Sequence, residues 1–233
     1  MNEVLYSNMK DEIIVIMVKD PRYGNVKSRL AEKLGKGLAE TLYRCFVADI
    51  LHALGSIAHP RVVAFTPSGS QESVEEWIGT GIPLMEQRGS DLGERMKNLF
   101  LDLFREGYSR VVLVGSDIPD LTADLVEEAF SVLKTCDGVI GPAMDGGYYL
   151  IGFTPEGFSP SAFQGIEWGT DQVYERTMRL FLEQGCRFRA LPIRSDMDTV
   201  TDLRDLYERH GDGPSGCSRT IACIKKHARE VLA

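Results

Sequence analysis

The sequence predicts an α/β fold: a single domain built on a mainly parallel sheet with helices on both faces. Short, continuously apolar runs rich in β-branched residues recur between Glu12 and Gly141, the pattern of strands buried on both faces. Apolar residues at helical spacing fill the intervals, and strands that alternate with amphipathic helices form βαβ units. The composition agrees. A chain of 233 residues, 43% hydrophobic and 26% charged, can bury a real core and lacks the bias of disordered or collagenous sequences.

The first strand is expected at residues 12–18 (EIIVIMV), with others at 61–65, 82–86, 110–114 and 138–141. Between the first two, Leu38, Leu42, Cys45, Phe46, Ile50 and Ala53 line one face of a helix, since residues three and four apart stack on one side. Leu92, Met96, Leu99, Phe100, Leu103 and Phe104 form a second stripe, opened by Asp91 and Glu94 at capping-box spacing. Leu125, Val126, Ala129, Phe130 and Leu133 form a third behind the candidate cap Thr122. After Gly141 the rhythm loosens into a Gly-rich turn, a strand at 148–153, an irregular stretch, a helix at about 170–184, a strand at 187–192 and a short helix at 201–209. GDGPSG at 211–216 reads as a linker and 218–232 as one basic terminal helix. The chain thus divides into a body, residues 1–210, and an appendage, 211–233.

Lys and Arg total 26 against 34 Asp and Glu, a net charge of −8. That argues against a generic nucleic-acid binder, which carries a basic surface. No run approaches the ~18 apolar residues of a spanning helix, and the first residues show no basic-then-apolar leader. A soluble, cytoplasmic protein is expected. Five scattered cysteines without a CxxC pair and four isolated histidines fit reduced thiols better than a disulfide framework or a zinc site. Any metal should be a hard ion on carboxylates, Mg²⁺ or Mn²⁺.

Chemistry gathers in a few segments. KDPRYGNVKSRL holds Lys19, Arg22, Lys27 and Arg29 against one Asp20, a local +3 in an acidic protein. Ligands of open α/β sheets bind beyond the strands' carboxyl ends, where Gly24 would expose backbone N–H groups and the cations would meet phosphate. A solvated basic loop is the alternative. The loop is neither GxGxxG nor a Walker A sequence. In QRGSDLGERM, capping accounts for Asp91 and Glu94 and leaves Gln87, Gly89 and Gly93; a Gln amide suits a base edge, and Gly permits close approach of a flat ring. Asp117 ends a buried strand in VVLVGSDIPDL and is placed to hold a divalent ion, or else to satisfy turn N–H groups. Thr199 and Asp202 make a capping box in SDMDTVTDL that leaves Asp196 and Asp198 over. In GPAMDGGYYLIG, Asp145 is exposed by its glycines and could orient a hydroxyl or act as a base; Tyr148 and Tyr149 must face opposite ways. Trp168 walls a pocket or anchors packing.

Six ordered segments, at 19–30, 87–96, 115–121, 141–152, 168–170 and 196–203, resemble the nucleotide-diphospho-sugar transferase superfamily with its glycosyltransferase A-type, Rossmann-like fold. More narrowly they resemble a bacterial glycosyltransferase-like family, some of whose members are linked to arsenosugar biosynthesis. That family's pattern runs KxPxxGxxKTRL, QxGxDLGERM, GSDxPxL, GPAxDGGYYLIG, WST and DxDTPEDL. Ser28 replaces its Thr, Gly169 the Ser of WST, and Val200-Thr201 its Pro-Glu. The Gly169 change removes a hydroxyl contact; the last keeps both carboxylates and the capping Thr. The resemblance covers residues 12–210.

It implies a nucleotide held by Lys19, Gly24, Lys27, Arg29, Gln87 and Gly93, and a divalent metal on Asp117 and Asp198 with Asp196 beside them. It places an acceptor or sugar near Asp145, Gly146, Gly147, Tyr148 and Trp168, with Lys27, Asp117 and Asp145 carrying catalysis. Three functions fit. In glycosyl transfer, favoured by the closer family match, an acceptor hydroxyl attacks the sugar of a nucleotide sugar while metal and cations stabilise the leaving diphosphate. In nucleotidyl transfer, a substrate phosphate attacks an NTP and pyrophosphate leaves. A non-catalytic nucleotide-binding module is the third. Oligomeric state stays open; the terminal helix is a candidate for docking a second subunit in a homodimer.

Overall fold

The computed structural model describes residues 10–211, 213 and 216–232. Residues 1–9, where a leader was sought, and Asp212, Pro214 and Ser215 of the expected linker lie outside the described residues. Among the described residues no helix is long and apolar enough to cross a membrane, and the cysteines are free thiols.

Strand β1 (Lys10–Lys19) has β2 (Arg61–Thr66) on one side and β4 (Tyr108–Val114) on the other, both parallel to it. The seven strands run in the order β3-β2-β1-β4-β6-β5-β7, with β3 at Leu84–Glu86, β5 at Gly138–Pro142, β6 at Tyr148–Phe153 and β7 at Phe188–Ala190. Only β6 is antiparallel to its neighbours. Burial on both faces explains the unbroken hydrophobicity of β1. Ile14, Ile16 and Val18 join the cluster formed with α2 (Lys36–Ala53) and α5 (Ala123–Leu133), whereas Ile13 and Val15 join the one formed with α4 (Leu92–Arg105). On the α4 side Phe153 meets Phe100 edge-on at 5.0 Å and Phe181 at 4.8 Å, a geometry aromatic pairs favour.

Because β1, β2 and β4 are parallel, their carboxyl ends share one rim. The antiparallel β6 starts at that rim, so the turn before it, with Asp145, arrives there too. The chain beyond β7 returns to the same place: Met197 N–H donates to the Asp117 carbonyl at 2.9 Å. Met197 is buried, and in this extended stretch its neighbours Asp196 and Asp198 face the other way.

Several elements differ from expectation. Helix α1 (Ser28–Leu34) grows out of what reads as a basic loop, and α3 (Gln71–Ile78) is a further helix whose short stripe of Val74, Trp77 and Ile78 packs on the core. Helix α6 spans Val173–Glu183 and α7 Val200–His210. The terminal helix divides at His227 into α8 (Ser218–Lys226) and α9 (Ala228–Val231). Helix α8 packs on α2 of its own chain and buries Ile221, Cys223 and Ile224 there. Asp49, fully buried on α2, accepts from Arg219 N–H at 3.1 Å, Thr220 N–H at 2.8 Å and the Thr220 hydroxyl at 2.7 Å. A carboxylate there satisfies first-turn N–H groups and complements the helix dipole.

Candidate active site

Two buried hydroxyls tie the ends of β1 and β4 together. The Tyr43 hydroxyl, reaching from α2, accepts the Lys19 N–H at 2.9 Å and lies 3.0 Å from Ser116 Oγ. Burial pushes its pKa up to about 12, so it remains a neutral phenol. Sequence reasoning missed both residues. A tyrosine between Leu42 and Phe46 in a core stripe was the available sign, since a buried phenol needs a partner for its tip.

Lys27 precedes α1 with φ 49° and ψ 52°, a left-handed conformation that costs roughly 1–2 kcal/mol for a residue with a Cβ. Its side chain is 4% exposed, with Nζ 2.5 Å from Asp117 Oδ1 and 2.8 Å from Asp198 Oδ1. Burial alone would lower the Lys27 pKa; the two carboxylates outweigh it and raise it. The group is therefore an ammonium at any ordinary pH. Arg29 is exposed, its Nη1 3.6 Å from Asp198 Oδ2. Lys19 Nζ donates to the Asn25 carbonyl at 2.8 Å.

On the far side of Asp117 the charge is of one sign. Burial, with repulsion from Asp145 and then Asp117, pushes the pKa of Asp196 up to about 8. Asp145, whose charge faces Asp196, accepts the Gly147 N–H at 2.8 Å. Carboxylate oxygens are the donors that Mg²⁺ and Mn²⁺ take, and crowded like charge is what a divalent ion relieves. Among the described residues no three such groups converge at coordinating distance; between Asp117 and Asp198 stands the Lys27 ammonium. The donor chemistry fits a hard divalent ion.

Three cavities meet at Asp117, which lines each of them. The first, about 280 Å³, is the most apolar, with Met17, Leu92, Met96 and Tyr148 around it and Lys19 and Gln87 at its edge. The second, about 350 Å³, gathers Lys19, Asn25, Lys27, Arg29 and Ser116. The third, about 200 Å³, is acidic and aromatic, with Asp145, Asp196, Asp198, Gly147, Tyr148 and Trp168. Trp168 stands edge-on to Tyr148 at 82° with centroids 6.4 Å apart. Tyr149 turns the other way and donates to the Pro192 carbonyl at 3.0 Å.

Gln87 and three of the expected glycines are engaged with the protein itself. Gln87 is buried, and its amide nitrogen donates to the Val18 carbonyl at 3.1 Å and the Ala64 carbonyl at 2.7 Å. Its donors stitch β1 to β2 and are not offered to a base. Gly24, Gly93 and Gly146 line none of the three cavities. A Cβ on Gly24 would lie 2.5 Å from Lys19 Cε, so this glycine lets the lysine stem cross the loop. One on Gly93 would lie 2.5 Å from Trp168 Cζ2 and 2.8 Å from the Phe163 carbonyl oxygen. Gly146, at φ 87°, presses against the Asp171 backbone and accepts the Tyr174 N–H at 2.8 Å. All three are close-packed against protein atoms, and Gly24 also lines a separate cavity of about 290 Å³ with Asn25 and Ser28.

The chain resembles two curated proteins along nearly its whole length. One is a phosphoenolpyruvate guanylyltransferase of Sphaerobacter thermophilus, 25% identical over 88% of this chain and 96% of that protein. The other is a 2-phospho-L-lactate guanylyltransferase of Methanothermobacter thermautotrophicus, 24% identical over 91% of this chain and 86% of that one. Among solved structures, a Desulfovibrio desulfuricans G20 protein provisionally named a nucleotide-diphospho-sugar transferase shares 38% identity and a TM-score of 0.89, covering 95% of this chain and 96% of its own. The fold is thus nucleotide-diphospho-sugar transferase-like, and the chain's relatives are transferases. A family model described as uncharacterized protein conserved in bacteria (DUF2064) matches residues 30–170, and the chain belongs to that family.

Proposed function

We propose that this chain is a nucleotidyltransferase that joins a nucleoside triphosphate, GTP foremost, to a phosphorylated small molecule and releases pyrophosphate. The observation that carries the reading is Asp117 at the meeting point of an apolar, a cationic and an acidic cavity. The names of the two curated relatives favour guanylyl transfer over the glycosyl transfer suggested by the motifs. The arsenosugar link finds no counterpart in them.

In this reading the base lies over Met17, Leu92 and Met96, and the triphosphate runs past Asp117 into the second cavity, where Lys19, Lys27 and Arg29 meet its charge. Asp117 and Asp198, with Asp196 beside them, would hold a divalent ion, which when bound neutralises charge on the phosphates. The acceptor lies in the third cavity against Trp168. One of its phosphate oxygens bonds to the α-phosphorus as the α–β bridging bond breaks, and pyrophosphate leaves toward Lys19 and Arg29. A phosphate monoester has its second pKa near ~6 and is already ionised at neutral pH. No general base is then required, and Asp145 keeps the task of orienting the acceptor.

The test is product identity. Incubated with Mg²⁺, each of the four NTPs and a panel of phosphorylated acceptors, the protein should release pyrophosphate fastest with GTP. Asp117→Asn should lower that rate by at least ~100-fold, the loss expected when a group that neutralises developing charge is removed. Release of a nucleoside diphosphate from a nucleotide sugar, without pyrophosphate from any NTP, would establish glycosyl transfer instead. Nucleotide binding indifferent to Mg²⁺ and to Asp117→Asn would establish the non-catalytic module.

A further inference from the structure

The Lys27 ammonium occupies the space between the two carboxylates best placed for a divalent ion. It is 2.5 Å from Asp117 and 2.8 Å from Asp198, and its side chain is 4% exposed against 47% and 35% for theirs. A positive φ at a residue with a Cβ persists only where the surroundings enforce it. Here the carboxylates and the Phe46 ring, 5.8 Å from Nζ, are those surroundings. The second cavity opens beside Lys27, with Lys19, Asn25 and Arg29 around it, and gives the flexible lysine stem a second place to put its charge.

We propose that Lys27 is a resident cation standing in the divalent ion's place, one that moves to the nucleotide's phosphates when they arrive, so that metal and triphosphate bind together and the metal alone binds poorly. This rests on the nucleotidyltransferase reading of the cleft. The charge balance supports it. A lone divalent ion entering between Asp117 and Asp198 must displace an ammonium from both of its ion pairs, whereas a triphosphate brings a new anion for it. The final arrangement alternates in sign: carboxylates, divalent ion, phosphates, Lys27. Divalent-ion repulsion and phosphate attraction then push Lys27 the same way.

The test measures metal binding without turnover. Mn²⁺ is titrated against the full chain and against Lys27→Met, with free Mn²⁺ followed by its paramagnetic resonance signal and circular dichroism confirming the fold. Lys27→Met should bind Mn²⁺ at least tenfold more tightly than wild type in the absence of nucleotide. Equal affinities would overturn the exchange. A second experiment needs no substitution: wild-type crystals are soaked in Mn²⁺ alone or in Mn²⁺ with a non-hydrolysable GTP analogue. An anomalous peak between Asp117 and Asp198 only in the second soak, with Lys27 displaced, supports the proposal. A peak there in both soaks, with Lys27 unmoved, overturns it. The function itself is judged separately, by pyrophosphate release, so a failed exchange with GTP-dependent pyrophosphate release leaves the nucleotidyltransferase reading standing.

Discussion

Replacing Asp196 by Asn, in protein freed of metal with EDTA, should stabilise the fold in proportion to pH. The folded protein keeps a proton on Asp196 up to about pH 8, while the unfolded chain releases it near ~3.9. Between those values the folded state binds the extra proton. Stability from this group is therefore greatest below pH ~4, falls as pH rises and levels off above the folded pKa. At ~1.4 kcal/mol per pH step, the wild type loses at most ~3.5 kcal/mol through Asp196 between pH 5 and pH 8. Relaxation of its solvent-exposed neighbours cuts that to ~1–2 kcal/mol. Asn is close in size to Asp and cannot ionise. For a chain of this size ~1 kcal/mol moves the melting point by ~2–4 °C, so the Tm advantage of Asp196→Asn should widen by ~2–8 °C from pH 5 to pH 8. Thermal melts followed by circular dichroism at the two pH values measure it. A constant or shrinking gap would refute the claim that burial and the neighbouring carboxylates keep Asp196 protonated.

Two further substitutions probe how the site is held. Gly93→Ala drives a Cβ against Trp168 and the Phe163 carbonyl; overpacking of this kind costs ~1–3 kcal/mol, and urea unfolding reads it. Since Trp168 must tilt, KM for the acceptor should rise more than KM for the triphosphate, and the reverse order would place Gly93 at the nucleotide after all. Tyr43→Phe leaves the Lys19 N–H without its acceptor at the end of β1, a loss of ~1–3 kcal/mol for a buried donor. KM for GTP should rise with little change in the unfolding m-value; unaltered stability and KM would mean that the tyrosine bridge has no part in shaping the rim.

The strands, their parallel sense and the rim that carries the site were legible because two-sided burial leaves a strong pattern. Residues 12–18 are apolar on both faces since Ile14 and Ile13 each have a core to enter. That Asp117, Asp196 and Asp198 are left over from helix capping was legible by elimination, since Thr122 and the Thr199–Asp202 box do the capping. The glycines were not. Gly24, Gly93 and Gly146 sit inside motifs rich in ligand chemistry, yet each is small because of a protein atom behind it: a lysine stem, an indole and a neighbouring backbone. A sequence shows that a side chain is absent and not what fills the space. Gln87 does line the first cavity, but the sequence says nothing of the two carbonyls that claim its amide hydrogens.

Charge counting shows the same limit with more at stake for function. The loop after β1 carries a formal +3, but Arg22 is paired with Glu76 at 2.9 Å and Lys27 is held by two carboxylates. What the loop presents to a triphosphate at first encounter is chiefly Lys19 and Arg29. Lys27 is the cation that the encounter would release under the proposed exchange, and its partners are the carboxylates proposed to hold a divalent ion. If the exchange proposed for Lys27 holds, an acidic protein can hold a polyanion without a broadly basic surface, because the charge that would bind phosphate is kept neutralised on Asp117 and Asp198 until phosphate and metal take its place.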